Sequence, residues 1–190
     1  MMRLALVAFV AISLTACTET FTPRPKAFFH IDIPQPQYQR FASDCPFSFN
    51  VAQYGFVMGD SSANAEPCWL NVQYPMFNAT VHLTYKPIGQ EFSFEELQKD
   101  SRTLVYKHTI KAQEIMENTI NKPDERVYGM LYRLTGDAAT SLQFYVTDST
   151  SHYLRGVLYF NQHTDADSIA PVLNHLSDDV LEMVGSLNWK

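Results

Sequence analysis

Apolar and polar residues alternate over Phe47-Ser48-Phe49-Asn50-Val51, which predicts a strand buried on one face. Trp69–Tyr74 predicts a second strand and Thr80–Tyr85 a third, with Pro75 and Asn78 marking the turn between them. The period then lengthens. Ser93-Phe94-Glu95-Glu96 fits a capping box, with Ser at the N-cap and Glu three residues on. Leu97, Leu104, Val105, Ala112, Ile115 and Met116 make a helical stripe that also holds Ser101 and His108, and Asn121 and Pro123 are stop signals. On that stripe His108 is expected to be a desolvated, neutral packing residue. Arg126–Leu134, Ser141–Thr147 and Tyr153–Phe160 are rich in aromatic and β-branched residues and predict three more strands. Gly136-Asp137 turns the first pair and Asp148 to Ser151 the second. A last helix begins near Ser168, where Ile169, Val172, Leu173, Leu176, Val180, Leu181 and Val184 step by three and four, and Gly185 is its expected C-cap.

The predicted order is β-β-β-α-β-β-β-α. Short turns between consecutive strands imply a largely antiparallel sheet. Two amphipathic helices need an apolar surface to cover, and the sheet is the one large enough. The expectation is an α+β fold in one globular domain over 41–190, a sheet flanked by two helices. The element order resembles the Mog1/PsbP-like α-β-α sandwich.

The amino terminus has a different pattern. Arg3 precedes an apolar run from Leu4 to Leu14, too short for the roughly 20 residues of a membrane span. A basic start, a short apolar stretch and small residues form an export signal over 1–16. Leu14-Thr15-Ala16-Cys17 resembles the bacterial lipobox, in which the Cys is acylated on sulfur and becomes the first mature residue. Cys17 is thus the expected lipidation site and the membrane the expected anchor. Pro23, Pro25, Pro34 and Pro36 make 17–40 an extended tether.

Composition sharpens this. The chain has 14 basic and 20 acidic side chains, a net charge of -6. Loss of Arg3 with the signal leaves 13 basic residues against the same 20 acidic ones, a net of -7. With no basic run, a nucleic-acid partner is not expected. Of three Cys, acylation of Cys17 leaves Cys45 and Cys68. An exported domain meets an oxidising compartment, which predicts a Cys45–Cys68 disulfide rather than two buried thiols. Neither a C-x-x-C nor a His-pair spacing accompanies them, so zinc is not expected.

Other candidate chemistry is sparse. His163, Asp165 and Asp167 lack the Gly and distal Glu of a calcium loop and read as a polar loop before a helix. No metal is expected. Asp148, Ser149 and His152 are the residue types of a serine hydrolase, but they crowd one hairpin turn, whereas triad members come from separated segments. There is no G-x-S-x-G elbow, phosphate loop or dinucleotide glycine pattern. The expectation is no catalytic residue and no cofactor.

Several segments resemble the gliding-motility lipoprotein GldD family: Phe21–Pro25, Pro67–Asn71, Lys107–Ala112, Asp167–Pro171, the terminal Trp189 and, most distinctively, Gln143–Phe160. The resemblance implies a non-enzymatic cell-envelope lipoprotein required for surface gliding and for the associated type IX secretion machinery. It would be lipid-anchored and periplasm-facing, with other gliding and secretion envelope proteins as partners. The alternative is a periplasmic binder of glycan or peptidoglycan. The β-hairpin around Arg155 is the candidate contact face, because Tyr145, His152, Tyr153, Arg155 and Tyr159 are of types enriched at interfaces. Asp148-Ser149-Thr150 and Asp167-Ser168-Ile169 fit an acceptor pattern for O-glycosylation of exported proteins in the bacterial group where the family occurs. Ser149, at a turn tip, is the better exposed candidate; Ser168 is the expected helix N-cap.

Overall fold

The computed structural model describes residues 32–190 apart from 90, 108–111, 137–139 and 162–165; the side chains of 166–168 are not described. The expected signal, Cys17, His108, His163 and Asp165 lie outside these residues.

Among the described residues, ten strands and two α-helices follow one another: β1 (Tyr38–Ala42), β2 (Phe47–Ala52), β3 (Phe56–Gly59), β4 (Leu70–Tyr74), β5 (Ala79–Pro87), α1 (Phe94–Tyr106), β6 (Ala112–Lys122), β7 (Val127–Gly136), β8 (Thr140–Thr147), β9 (His152–Phe160), α2 (Ala166–Gly185) and β10 (Asn188–Trp189). The predicted α+β class holds: an antiparallel seven-stranded sheet in the order β3-β4-β5-β9-β8-β7-β6, and a three-stranded sheet β1-β2-β10. The globular unit starts earlier than expected, since Tyr38, Gln39 and Arg40 pair with β2 in a strand rather than belonging to the tether.

The pattern accounts for most of this. Alternation buries Leu70, Val72 and Tyr74 of β4 and Val81 and Leu83 of β5 on one sheet face. Onto that face fold Phe47 and Phe49 of β2 and Val172, Leu176, Val180, Met183 and Val184 of α2, forming the larger core. Burying one such Leu or Phe side chain contributes roughly 1.5–3 kcal/mol. Pro75–Phe77 form a single 3-10 turn and Asn78 adopts the left-handed conformation, so the predicted β4–β5 turn is correct. Gly156 of β9 lies against Phe144, and a Cβ there would stand 2.2 Å from two of its ring carbons.

On the opposite face lies α1. Its capping box forms as expected: Glu96 N–H donates to Ser93 Oγ, and Ser93 N–H to Glu96 Oε2 at 3.0 Å. Leu97, Ser101 and Val105 are its buried stripe. They cover a second, smaller core of Tyr132, Leu134, Tyr145 and Tyr153.

Three expectations need correction. The first helix ends at Tyr106, and Ala112, Ile115 and Met116 lie in β6, which pairs with β7 from Glu114↔Thr135 to Lys122↔Val127. The second helix starts at Ala166, so Ser168 lies inside it rather than at its N-cap. Gly185 is the last residue of that helix and is not left-handed; Gly136 is the positive-φ glycine among the described residues.

Candidate functional site

The β8–β9 hairpin, singled out by its sequence, is built around one carboxylate. Asp148 is buried, and its Oδ1 accepts the backbone N–H groups of Thr150, Ser151 and His152 at 3.0, 2.8 and 2.8 Å. Thr150 Oγ1 donates to its Oδ2 at 2.8 Å. Burial pushes the Asp148 carboxyl up, but these donors outweigh it and hold the pKa down at about 2. Arg126 stands 4.0 Å away and is exposed, so it adds little. Thr147 Oγ1 donates to the His152 carbonyl and accepts from Ser149 N–H, closing the turn.

The acid that would orient His152 in a triad is instead saturated by backbone donors. His152 Nδ1 shares a hydrogen bond of 2.9 Å with Tyr85 OH, and its ring stacks on Trp189 at 5.2 Å. It thus fastens the hairpin to β10. Ser149 is exposed at the tip, as expected, and takes a left-handed φ of 67°.

Of the hairpin residues expected to form a contact face, Tyr145, Tyr153, Arg155 and Tyr159 share one face, since Tyr145 pairs with Arg155 and Thr147 with Tyr153; His152, next to Tyr153, faces the other way, toward Tyr85 and Trp189. That face is not open at the two tyrosines. Tyr145 and Tyr153 are buried and stack at 5.3 Å beneath α1. Gln98 donates to Tyr145 OH at 2.8 Å, and Tyr153 OH donates to Ser101 Oγ at 2.7 Å. The interface reading is corrected for both, because α1 occupies the surface they would offer. Arg155 is half-buried and donates to Gln143 Oε1 at 2.8 Å, while Gln143 donates to the buried Thr140 Oγ1 at 2.8 Å. Tyr159 is half-buried and meets the His82 ring edge-on at 5.5 Å.

A second polar cluster was not foreseen. Asp179 of α2 is 2% exposed. Tyr38 OH donates to its Oδ1 at 3.0 Å, and Tyr54 OH donates to its Oδ2. Tyr54 OH also lies 2.7 Å from His175 Nε2. A phenol has one proton. If Tyr54 gives it to Asp179, Nε2 of His175 carries the proton that Tyr54 accepts. Burial pushes the Asp179 carboxyl up, against the pull of the two phenols. The cluster ties α2 to β1 and to the β2–β3 turn. Its sequence signal was spacing: Asp179 stands three residues after Leu176, on the apolar stripe, where an acid needs buried donors.

The disulfide is as expected. Cys45 and Cys68 are joined with Cα atoms 5.5 Å apart, linking the segment before β2 to the segment before β4. Apart from Leu181 on α2, the large exposed apolar side chains among the described residues lie on β3 (Phe56 and Met58), in the β4–β5 turn (Met76), and about the end of α1 and β6 (Leu104, Tyr106 and Met116). Gln39, Arg40, Phe41, Val51, Gly55, Phe56 and Val57 line a shallow groove of about 250 Å3 beside β3. That is below the roughly 300–1,000 Å3 of ordinary small-molecule sites. Among the described residues, no group of three His, Cys, Asp or Glu is placed to hold a metal ion, and no helix is long and apolar enough to cross a membrane.

Fold and surface together define an antiparallel α+β domain whose polar clusters brace its own elements and which exposes apolar side chains on β3 and about the end of α1 and β6. The chain belongs to the gliding motility lipoprotein GldD family, whose pattern matches residues 18–189, beginning at the residue after Cys17. It is therefore a gliding motility lipoprotein by family, which places it in the cell envelope. A comparison with curated proteins returns no match. Among solved structures, it is similar to the solution structure of cyanobacterial PsbP from Synechocystis sp. PCC 6803. The identity is 11% and the TM-score 0.49, over 89% of this chain and 100% of that one.

Proposed function

We propose that the protein is a non-catalytic, lipid-anchored component of the gliding apparatus that also serves the associated type IX secretion machinery. It is held at the periplasmic side of a membrane through Cys17 and contacts other envelope proteins. The family match from residue 18 to 189 carries the reading, because it covers all but the last residue of the chain beyond Cys17, the expected acylation site. The saturated Asp148 and the His152–Trp189 stack support it, since both groups act in packing rather than facing a substrate. Ser149, exposed at its turn tip, stays the candidate for O-glycosylation ahead of Ser168. The remaining candidate contact residues, His152, Arg155 and Tyr159, are half-buried and would contribute only at the margin of an interface.

Deleting the gene in a gliding host tests both halves. Colony spreading and release of secreted cargo should both be lost, and both should return on complementation. Lost spreading with normal cargo release would confine the function to motility; normal spreading would refute the proposal.

A further inference from the structure

Among the described residues, strand β6 is one of the two edges of the seven-stranded sheet, paired with β7 on one side. It is also its longest strand, with Gln113, Glu114, Met116, Glu117, Asn118, Thr119 and Asn121 exposed. A row of unpaired N–H and C=O groups of this length is a template for another strand. Exposed apolar groups flank this edge on both faces of the sheet, since Met116 follows Ile115, which packs in the core under α1. Met116 is 38% exposed, and Leu104 and Tyr106 at the end of α1 are 38% and 39% exposed. Tyr106 reaches β6 by donating to Glu117 Oε1 at 2.6 Å.

We propose that β6 joins two copies of this chain edge to edge, antiparallel, with Asn118 facing its own counterpart across a twofold axis. The charges select the copy and the register. Centred on Asn118, Glu114 of each copy faces Lys122 of the other. Met116 faces Ile120, and Ile115 faces Asn121. No like charges oppose one another. Centring on Glu117 would set that carboxylate against itself, and centring on Thr119 would set Met116 against Lys122. Antiparallel pairing about a twofold axis keeps facing side chains on one sheet face, so these are the neighbouring permitted registers. Pairing with β7 is regular from Glu114 onward, and the irregularity between Ala112 and Glu114 ends the usable edge.

Lys122 already contacts Glu125 at 3.3 Å and the Gly185 carbonyl, and its third ammonium proton remains for the second copy's Glu114. The strand ladder and the Met116–Ile120 pairs supply attraction, and the Glu114–Lys122 pairs supply register. The join would make one continuous sheet with both α1 helices on the same face.

The test uses the full chain in detergent. Wild type should sediment as a concentration-dependent dimer. Glu114→Lys sets lysine against lysine twice and should weaken the dimer on the order of tenfold; Glu114→Lys with Lys122→Glu should restore it. Asn118→Cys should cross-link under oxidation beyond the wild-type background, because facing Cα atoms stand about 4.5–5.5 Å apart. Asn121→Cys should not, being about 20 Å from its counterpart. A wild type that stays monomeric, a charge swap that fails to rescue, or equal cross-linking at Asn118 and Asn121 would overturn the proposal.

Discussion

Replacing Cys45 and Cys68 together with alanine is expected to destabilise the domain by about 3 kcal/mol. The bond spans 23 positions of sequence, and closing a loop of that size removes about 3 kcal/mol of denatured-state entropy. For a domain of this size, that lowers the midpoint of thermal unfolding by roughly 6–12 °C. The structure adds a local reason. Cys68 sits at a left-handed φ of 65°, which a non-glycine residue holds only when its surroundings impose it. Calorimetry of the double variant beside wild type measures the effect. An unchanged midpoint would mean that the bridge constrains nothing in the unfolded chain.

Asp148→Ala is expected to cost about 2 kcal/mol, because one carboxylate satisfies three backbone N–H groups and one hydroxyl. The exposed turn residues recover water, which keeps the loss below the sum of the bonds. The pH dependence follows from the depressed pKa. A carboxyl held at about 2 when folded, against 3.8 ordinarily, contributes stability that is fully present above pH 3.8. That contribution is lost as the pH falls through about 2. The stability gap between wild type and Asp148→Ala should therefore close over this acid range, and denaturant titrations at several pH values would read it. A gap independent of pH would show that the bonds do not depend on the charge.

How far the fold was legible depends on the element. The capping box marked the start of α1 because Ser93 and Glu96 satisfy each other without distant help. The end of α1 was misread. Ala112, Ile115 and Met116 happen to continue a spacing of three and four, but Ile115 faces Leu134 across a ladder in which Glu117 and Thr119 follow at period two. Strand pairing with β7 overrode a weak helical pattern, and one sequence offers no view of that partner. The strands β3 and β10 were missed because they have four and two residues, too few to display a period, and β1 because Tyr38-Gln39-Arg40-Phe41-Ala42 carries no alternation of apolar and polar positions.

The candidate site was half legible for a related reason. Residue type singled out Tyr145, His152, Tyr153, Arg155 and Tyr159, of which the strand register puts all but His152 on one face. Whether that face meets water depends on where α1 packs, which spacing does not encode. Asp179 and its two phenol donors come from three separate segments, so only the stripe position of the acid was visible beforehand.

The central claim is that the function is exerted by an anchored domain without catalysis. The most direct measurement is gliding by cells whose single copy carries Cys17→Ser, compared with cells carrying Ser149→Ala and with wild type. Protein level and membrane attachment would be followed by fractionation. The account predicts that Cys17→Ser yields a folded, disulfide-bonded domain released from the membrane and abolishes spreading, while Ser149→Ala spreads as wild type does. Cells that spread normally with the Cys17→Ser protein in soluble form would contradict it.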